Sequence, residues 1–240
     1  MNILITGTSK GIGKSIVKAF SKQSDHCLFL VSKDSFLLNE LKNECKILNP
    51  DNEVFTFDID LNKSEDIDRL SDEINSVTES LDILINNAGV LFNRDFQSVL
   101  DDEIEKMFHI NFFSPAKIIR NFIPLLKKSP AAHVINIGSM GGFQGSLKFA
   151  GLAYYSASKA AIANLTECLA AEYANTKISF NCLALGSVHT EMFEKAFPGY
   201  DATFTSEQMA DFIMKFSLTG HQKLNGKVIP IVSESDFLII

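Results

Sequence analysis

Tyr155 and Lys159 lie four positions apart in the stretch YYSASKAAIANL, which begins at Tyr154. An α-helix turns about 100° per residue, so residues four apart sit about 40° from alignment and share a face. Tyr154 and Lys159, five apart, are swung about 140° from one another. On a helix, Tyr155 is therefore the tyrosine that can meet the lysine. A phenol ordinarily titrates near pH 10 (about 3 units too high for a neutral-pH proton shuttle), and a nearby ammonium favours the phenolate. Such a pair could move a proton at a reacting oxygen. By itself it is more often an ordinary pair on a solvated helix face, so the elements around it have to decide.

Those elements alternate from end to end. Near-continuous apolar runs begin at Asn2 (NILIT), Cys27 (CLFLV), Glu53 (EVFTF), Asp82 (DILIN), His133 (HVINI), Ile178 (ISFNCLAL) and Lys227 (KVIPIV). Runs of this kind suit parallel strands covered on both faces. Helix-patterned segments lie between them. In SEDIDRLSDEINSVTES, Ile67, Leu70, Ile74 and Val77 form one expected apolar stripe, with Ser64 as the expected N-terminal cap. The alternation predicts an α/β, Rossmann-like doubly wound fold of about seven mainly parallel strands with helices on both faces. No linker or repeat divides the chain, which predicts one domain over residues 1–240. In such sheets ligands sit beyond the carboxyl ends of the strands, where the motifs below begin.

Composition narrows the class. Apolar residues make up 46% of the 240 and charged residues 21%, as in a globular protein able to bury a large core. The net charge of −7 without a basic run argues against nucleic-acid or anionic-membrane partners. Cys27, Cys45, Cys168 and Cys182 show no metal-ligand spacing and read as reduced, mostly buried thiols. With no long apolar run and a strand starting at once in MNILITG, the expected location is cytoplasmic.

After the first run comes TGTSKGIGKS, with Gly7, Gly11 and Gly13. A glycine-rich turn between strand and helix lets the backbone approach a pyrophosphate, and the helix N-terminus offers free N–H donors. The spacing is not that of a P-loop. It resembles the TGxxxGxG pattern of the short-chain dehydrogenase/reductase family. NNAG at Asn86–Gly89, INFFSPAK with Asn111, INIGSMGG with Ser139, YYSASKAA with Tyr155 and Lys159, and NCLALGSVHTEM follow in the family's order.

The resemblance implies a nicotinamide-dependent oxidoreductase acting on a small-molecule carbonyl or alcohol. Tyr155 would be the general acid or base. Lys159 would lower its pKa, aided by the oxidised nicotinamide, and would bind the nicotinamide ribose. Ser139 would donate to the substrate oxygen, where charge develops. Asn111 would hold a water joining Lys159 to solvent. Blander readings have Ser139 capping a turn and Asn111 satisfying a helix irregularity. The cofactor would lie along Gly7, Ser9, Lys10, Gly11, Ile12 and Gly13, with Asp58 and Ile59 at the adenine. Asn87, Ala88 and Gly89 would pack by the adenosine ribose, and Val188 and Thr190 would face the carboxamide. A homodimer or homotetramer would form through helices near residues 101–127 and 155–173. A serine hydrolase is disfavoured, since IGSMGG lacks GxSxG spacing. The remaining alternative is a dinucleotide-binding sensor or scaffold without turnover, which has no need of a tuned phenol.

NAD-selective sites place an acid after the second strand to bind the ribose 2′-hydroxyl. Here Ser32 stands in that place and Lys33 follows, with Lys10 in the glycine loop, which favours NADP (NADPH) over NAD. Asp34 opposes this unless it serves as a helix cap. Three departures from the family pattern bear on the substrate side. The Ser139–Tyr155 segment is lengthened, Leu185 stands where Pro is usual, and residues 186–206 form a phenylalanine-rich substrate loop. Phe193, Phe197 and Phe204 there are a lid over an apolar substrate or else core packing. His189 in that loop reads as a pocket or loop residue rather than a base. The ending ESDFLII reads as a docked tail.

Overall fold

Alternation within each strand sorts the core into two layers. Ile3 and Ile5 pack with Leu28 and Leu30 in one cluster, while Leu4 packs with Phe29 and Val31 in the other. Successive side chains of a strand point to opposite faces, so a strand apolar at every position must be covered twice. The computed structural model describes residues 1–23 and 26–233. Its strands are β1 (Asn2–Thr6), β2 (Cys27–Ser32), β3 (Glu53–Asp58), β4 (Ile83–Asn86), β5 (Ala132–Ser139), β6 (Ile178–Leu185) and β7 (Lys227–Ile231). They form one sheet in the order β3-β2-β1-β4-β5-β6-β7, and every pairing is parallel.

Three helices cover the first face: α1 (Gly11–Ser21), α2 (Ser35–Leu48) and, later in the chain, α8 (Ser206–Thr219). The second face is covered chiefly by α3 (Ser64–Val77) and α5 (Ser114–Leu126). Between them come the short α4 (Asp101–Phe108) and the long α6 (Ala153–Glu172), and α7 (Glu191–Ala196) follows β6. The chain reverses direction across the sheet between β1 and β4, which opens a crevice at their carboxyl ends. No helix among the described residues is long and apolar enough to cross a membrane.

Local chemistry departs from expectation in three places. Ile67, Leu70 and Ile74 are buried, each contributing about 1.5–3 kcal/mol, but Val77 at the helix end is exposed. Ser64 is the first helical residue and not the cap; Lys63 holds the cap position without a side-chain bond, and Ser64 instead accepts from Lys117 Nζ. Asp82 lies outside β4, where its carboxylate accepts from the Asn2 amide at 2.8 Å and the Ser129 hydroxyl at 2.6 Å. The cysteines are all free, with Cys45 and Cys182 buried, Cys27 half-buried and Cys168 exposed. The tail ESDFLII lies outside the described residues.

One buried polar knot fastens the sheet's far end. His133 Nδ1 lies 3.0 Å from the Ser217 carbonyl and Nε2 lies 3.0 Å from the Asn181 amide nitrogen. A carbonyl on one nitrogen and an amide donor on the other suit a neutral ring. Burial pushes His133 down to about 4, and nearby His221 adds to this against the Ser217 hydrogen bond. Below about pH 6.5 the unfolded chain takes up a proton that the folded chain refuses until about pH 4. The stability this neutral ring supplies is whole above pH 6.5 and falls by about 3 kcal/mol in total as the pH drops through that window. Urea unfolding between pH 7 and pH 4.5 should show the decline, and His133→Gln should flatten it; an unchanged slope would remove His133 as its source.

Candidate active site

The carboxyl ends of β4 and β5 and the first turns of α6 converge on one region. Ser139 is the last residue of β5, and its Oγ accepts from the Gly141 amide at 3.1 Å, closing a 3₁₀ turn over Met140–Gly142. A Cβ on Gly142 would meet the Ala160 nitrogen and the Lys159 carbonyl carbon at 2.6 Å each. Only a glycine lets α6 approach this turn so closely, and that approach holds Lys159 against β5. Lys159 is 5% exposed and its Nζ donates to the Ile137 carbonyl at 2.7 Å. Tyr155, one turn earlier on α6, shares a hydrogen bond with Ser139. Ser139, Tyr155 and Lys159 are thus brought to one region of the crevice.

The electrostatics differ from the expectation. Burial holds the Tyr155 phenol above its ordinary value, with the Ser139 hydrogen bond acting the other way. Burial also pushes Lys159 down to about 8, and the neighbouring Cys182 sulfur opposes this. Desolvation therefore outweighs the downward pull on Tyr155 expected from the ammonium, and the phenol is held neutral, ready to donate.

Asn111 lies in a π-turn, His109–Phe113, between α4 and α5. Its amide bridges two elements: Oδ1 accepts from Val90 N at 2.9 Å, while Nδ2 donates to Val90 O at 2.9 Å and to Ser158 Oγ at 3.0 Å. Ser158 in turn donates to the Tyr155 carbonyl at 2.7 Å. The side chain therefore acts as a staple between the β4 loop and α6. Ser158 was not foreseen, though it sits three residues after Tyr155 in the same stretch.

At the other end of the crevice, a Cβ on Gly13 would lie 2.1 Å from Gly7 O and 2.6 Å from Asn87 Nδ2. Gly7 itself has φ +70. This shape brings the start of α1 directly onto the β1 turn. Asn87 Nδ2 donates to the Thr6 and Gly7 carbonyls at 3.0 and 3.2 Å, and Ala88 N donates to Thr6 Oγ1. Lys10 caps α1 without a side-chain bond, and the first turn carries no acid. An acid-free helix start behind a backbone cradle fits a pyrophosphate. Gly89 abuts both Asn111 and Lys159.

The other expected contacts divide. Ser32 is buried at the end of β2 and its hydroxyl donates to Ser9 at 2.9 Å, while Lys33 is exposed. Asp34 caps α2, accepting from Leu37 N at 3.0 Å. Asp58 is exposed, the Ile59 and Val188 side chains are buried in the core and can offer a ligand only backbone, and Ile12 is half-buried against it. Gly11 and Thr190 adjoin, and Thr190 caps α7 through Phe193 N. His189 is exposed beside Glu194 at 3.3 Å and reads as a loop residue.

On the substrate side, Phe204 packs on the core while Phe193 and Phe197 pair on α7 with ring centroids 5.1 Å apart. Leu185 remains in the sheet opposite Ile231, and Gly186 N donates to the Ile231 carbonyl, so β7 holds the start of the loop without a proline. Asn93, also unforeseen, donates to the Ala196 carbonyl at 2.7 Å, and its neighbour Arg94 donates to the Gly151 carbonyl at 3.1 Å. Three loops are pinned together there. Tyr154 stacks on Phe96, centroids 5.1 Å apart.

Comparison with known proteins agrees with this arrangement. The model of the short chain dehydrogenase family matches residues 1–201. The fatty acyl-CoA reductase of Acinetobacter baylyi is 32% identical over 214 residues, 88% of this chain and 70% of that protein. The solved structure of levodione reductase superposes with a TM-score of 0.88 at 22% identity, covering 98% of this chain and 97% of that one. The Pseudomonas aeruginosa RhlG/NADP complex gives 0.85 at 26% identity, covering 98% and 96%. The chain belongs to the short chain dehydrogenase family.

Proposed function

We propose that this oxidoreductase is NADP(H)-dependent and interconverts a carbonyl and an alcohol, with Tyr155 as general acid in reduction and general base in oxidation. The observation that carries this reading is the hydrogen-bonded Ser139–Tyr155 pair with buried Lys159 one turn along α6. The cofactor, when bound, supplies or accepts the hydride. Ser139 orients the substrate oxygen, and the neutral Tyr155 phenol gives it a proton as negative charge builds there. Lys159 reaches the ribose side and compensates the phenolate left behind. Asn111 keeps the β4 loop in register with α6, and Gly7, Gly11 and Gly13 admit the pyrophosphate.

NADP is favoured over NAD because Ser32 occupies the acidic position and Asp34 is committed to its cap. The likeness to an NADP complex supports the same choice.

The substrate is read as apolar. In the lengthened segment Lys148 turns its ammonium back onto the Gly141 and Phe143 carbonyls and Ser146 Oγ, at 2.8, 2.6 and 2.8 Å. Leu147 and Phe149 point outward, 54% and 55% exposed. A loop that keeps its polar groups inside and its apolar ones outside, between Ser139 and Tyr155, is suited to meeting an apolar molecule. The likeness to a fatty acyl-CoA reductase points the same way. Residues 186–206 would close over this substrate. We read residues 1–240 as one domain, located in the cytoplasm, where the four free thiols persist. Exposed Leu100 and Phe113 on the α4–α5 side support self-association.

The test is NADPH oxidation across a homologous series of aliphatic carbonyls. Each added methylene that is buried should raise kcat/KM about fourfold until the pocket ends. A flat series, or preference for sugars, would remove the apolar reading. Tight NADPH binding with no turnover of any carbonyl would favour a sensor.

A further inference from the structure

On the NADP reading, the cofactor's 2′-phosphate needs cations near Ser32. Lys33 is exposed at the end of β2, but Lys10 is already engaged: its Nζ lies 3.1 Å from the Glu191 carboxylate. The pair joins the start of α1 to the first residue of α7, 181 positions apart. The contact is continuous, since the Thr190 methyl lies 3.3 Å from where a Cβ on Gly11 would stand. Of the other acids near Ser32, Asp34 spends its carboxylate on the α2 cap and Asp58 ends β3 opposite Ser32, whereas Glu191 is the one paired with Lys10. Glu191 is therefore the carboxylate that decides where Lys10 points.

We propose that Glu191 is a specificity-determining residue, competing with the cofactor 2′-phosphate for Lys10. Lys10 carries a single charge, and whatever it gives the carboxylate is withheld from the phosphate. NADH carries no 2′-phosphate and draws nothing from the pair. When the phosphate takes Lys10, the first turn of α7 loses its ion pair to the glycine loop, while Asn93 still holds the far end at Ala196. The choice of cofactor and the hold on the substrate loop then share one lysine.

The experiment is equilibrium titration of NADPH and NADH by fluorescence against wild type, E191Q, K10M and the double variant. Both partners are more than half exposed, so removing the competitor should tighten NADPH binding about two- to fivefold, the range of a surface ion pair. NADH binding should be unchanged, the gain should shrink at high salt and it should vanish in the K10M background. Equal tightening of both cofactors, no change for NADPH, or a gain that survives K10M overturns the competition. A K10M variant that binds NADPH as well as wild type, or a wild type that prefers NADH, shows instead that the cofactor reading beneath the proposal has failed.

Discussion

Tyr155→Phe is expected to lower kcat for carbonyl reduction by about 10²–10⁴-fold, the usual range for losing a positioned proton donor, while NADPH affinity stays within about twofold of wild type. The substitution removes one oxygen and keeps the ring, so packing on α6 persists. What goes is the hydrogen bond to Ser139 and the proton that must reach the substrate oxygen as hydride arrives. Burial holds that phenol neutral, which makes it a donor with no cost of first acquiring a proton. Steady-state kinetics with a substrate the wild type reduces, alongside cofactor titration, separate the two effects. A variant keeping more than about a tenth of wild-type kcat would return Tyr155 to the status of a packed ring and leave Ser139 to be examined as the donor.

Gly13→Ala is expected to weaken NADPH binding by about 100-fold or more and to lower the melting temperature by roughly 5 °C. The new methyl would stand 2.1 Å from the Gly7 oxygen and 2.9 Å from its carbonyl carbon, both of them backbone. No rotamer change relieves such an overlap, so the start of α1 has to move off the β1 turn. Its amide donors then no longer converge on one point, and Asn87 loses its seat on the Gly7 carbonyl. Calorimetry for melting and fluorescence titration for binding are the readouts. Wild-type NADPH affinity in this variant would place the pyrophosphate elsewhere.

Most of the sheet could be read from residues alone because each strand is apolar at consecutive positions, a pattern that double coverage demands. Edges were less legible. Val77 continues the helical period of α3, yet the helix ends there and its side chain stays exposed. Within the candidate site, Tyr155 and Lys159 were legible because they share a helix face, and Ser139 through the resemblance of INIGSMGG to the family segment. Asn93, Ser158 and the Lys10–Glu191 pair were not, since their partners lie on other elements and no local period marks them. The irregularity at Asn111 was among the readings of the sequence, but its form, a π-turn over His109–Phe113, was not. The Lys159 effect on Tyr155 failed for another reason: spacing gives proximity but says nothing of how much water remains.

The loop between Ser139 and Tyr155 carries an evolutionary consequence. Its cohesion comes from Lys148 and Ser146 bonding its own carbonyls, so Leu147 and Phe149 contribute little to holding it together. Those two positions are free to vary in size and polarity without unfolding the segment that carries them. On the proposed function, new substrate preferences could therefore be sampled there by single substitutions, with the proposed chemistry kept on the sheet and α6. Selection can remodel the mouth of such an enzyme one residue at a time.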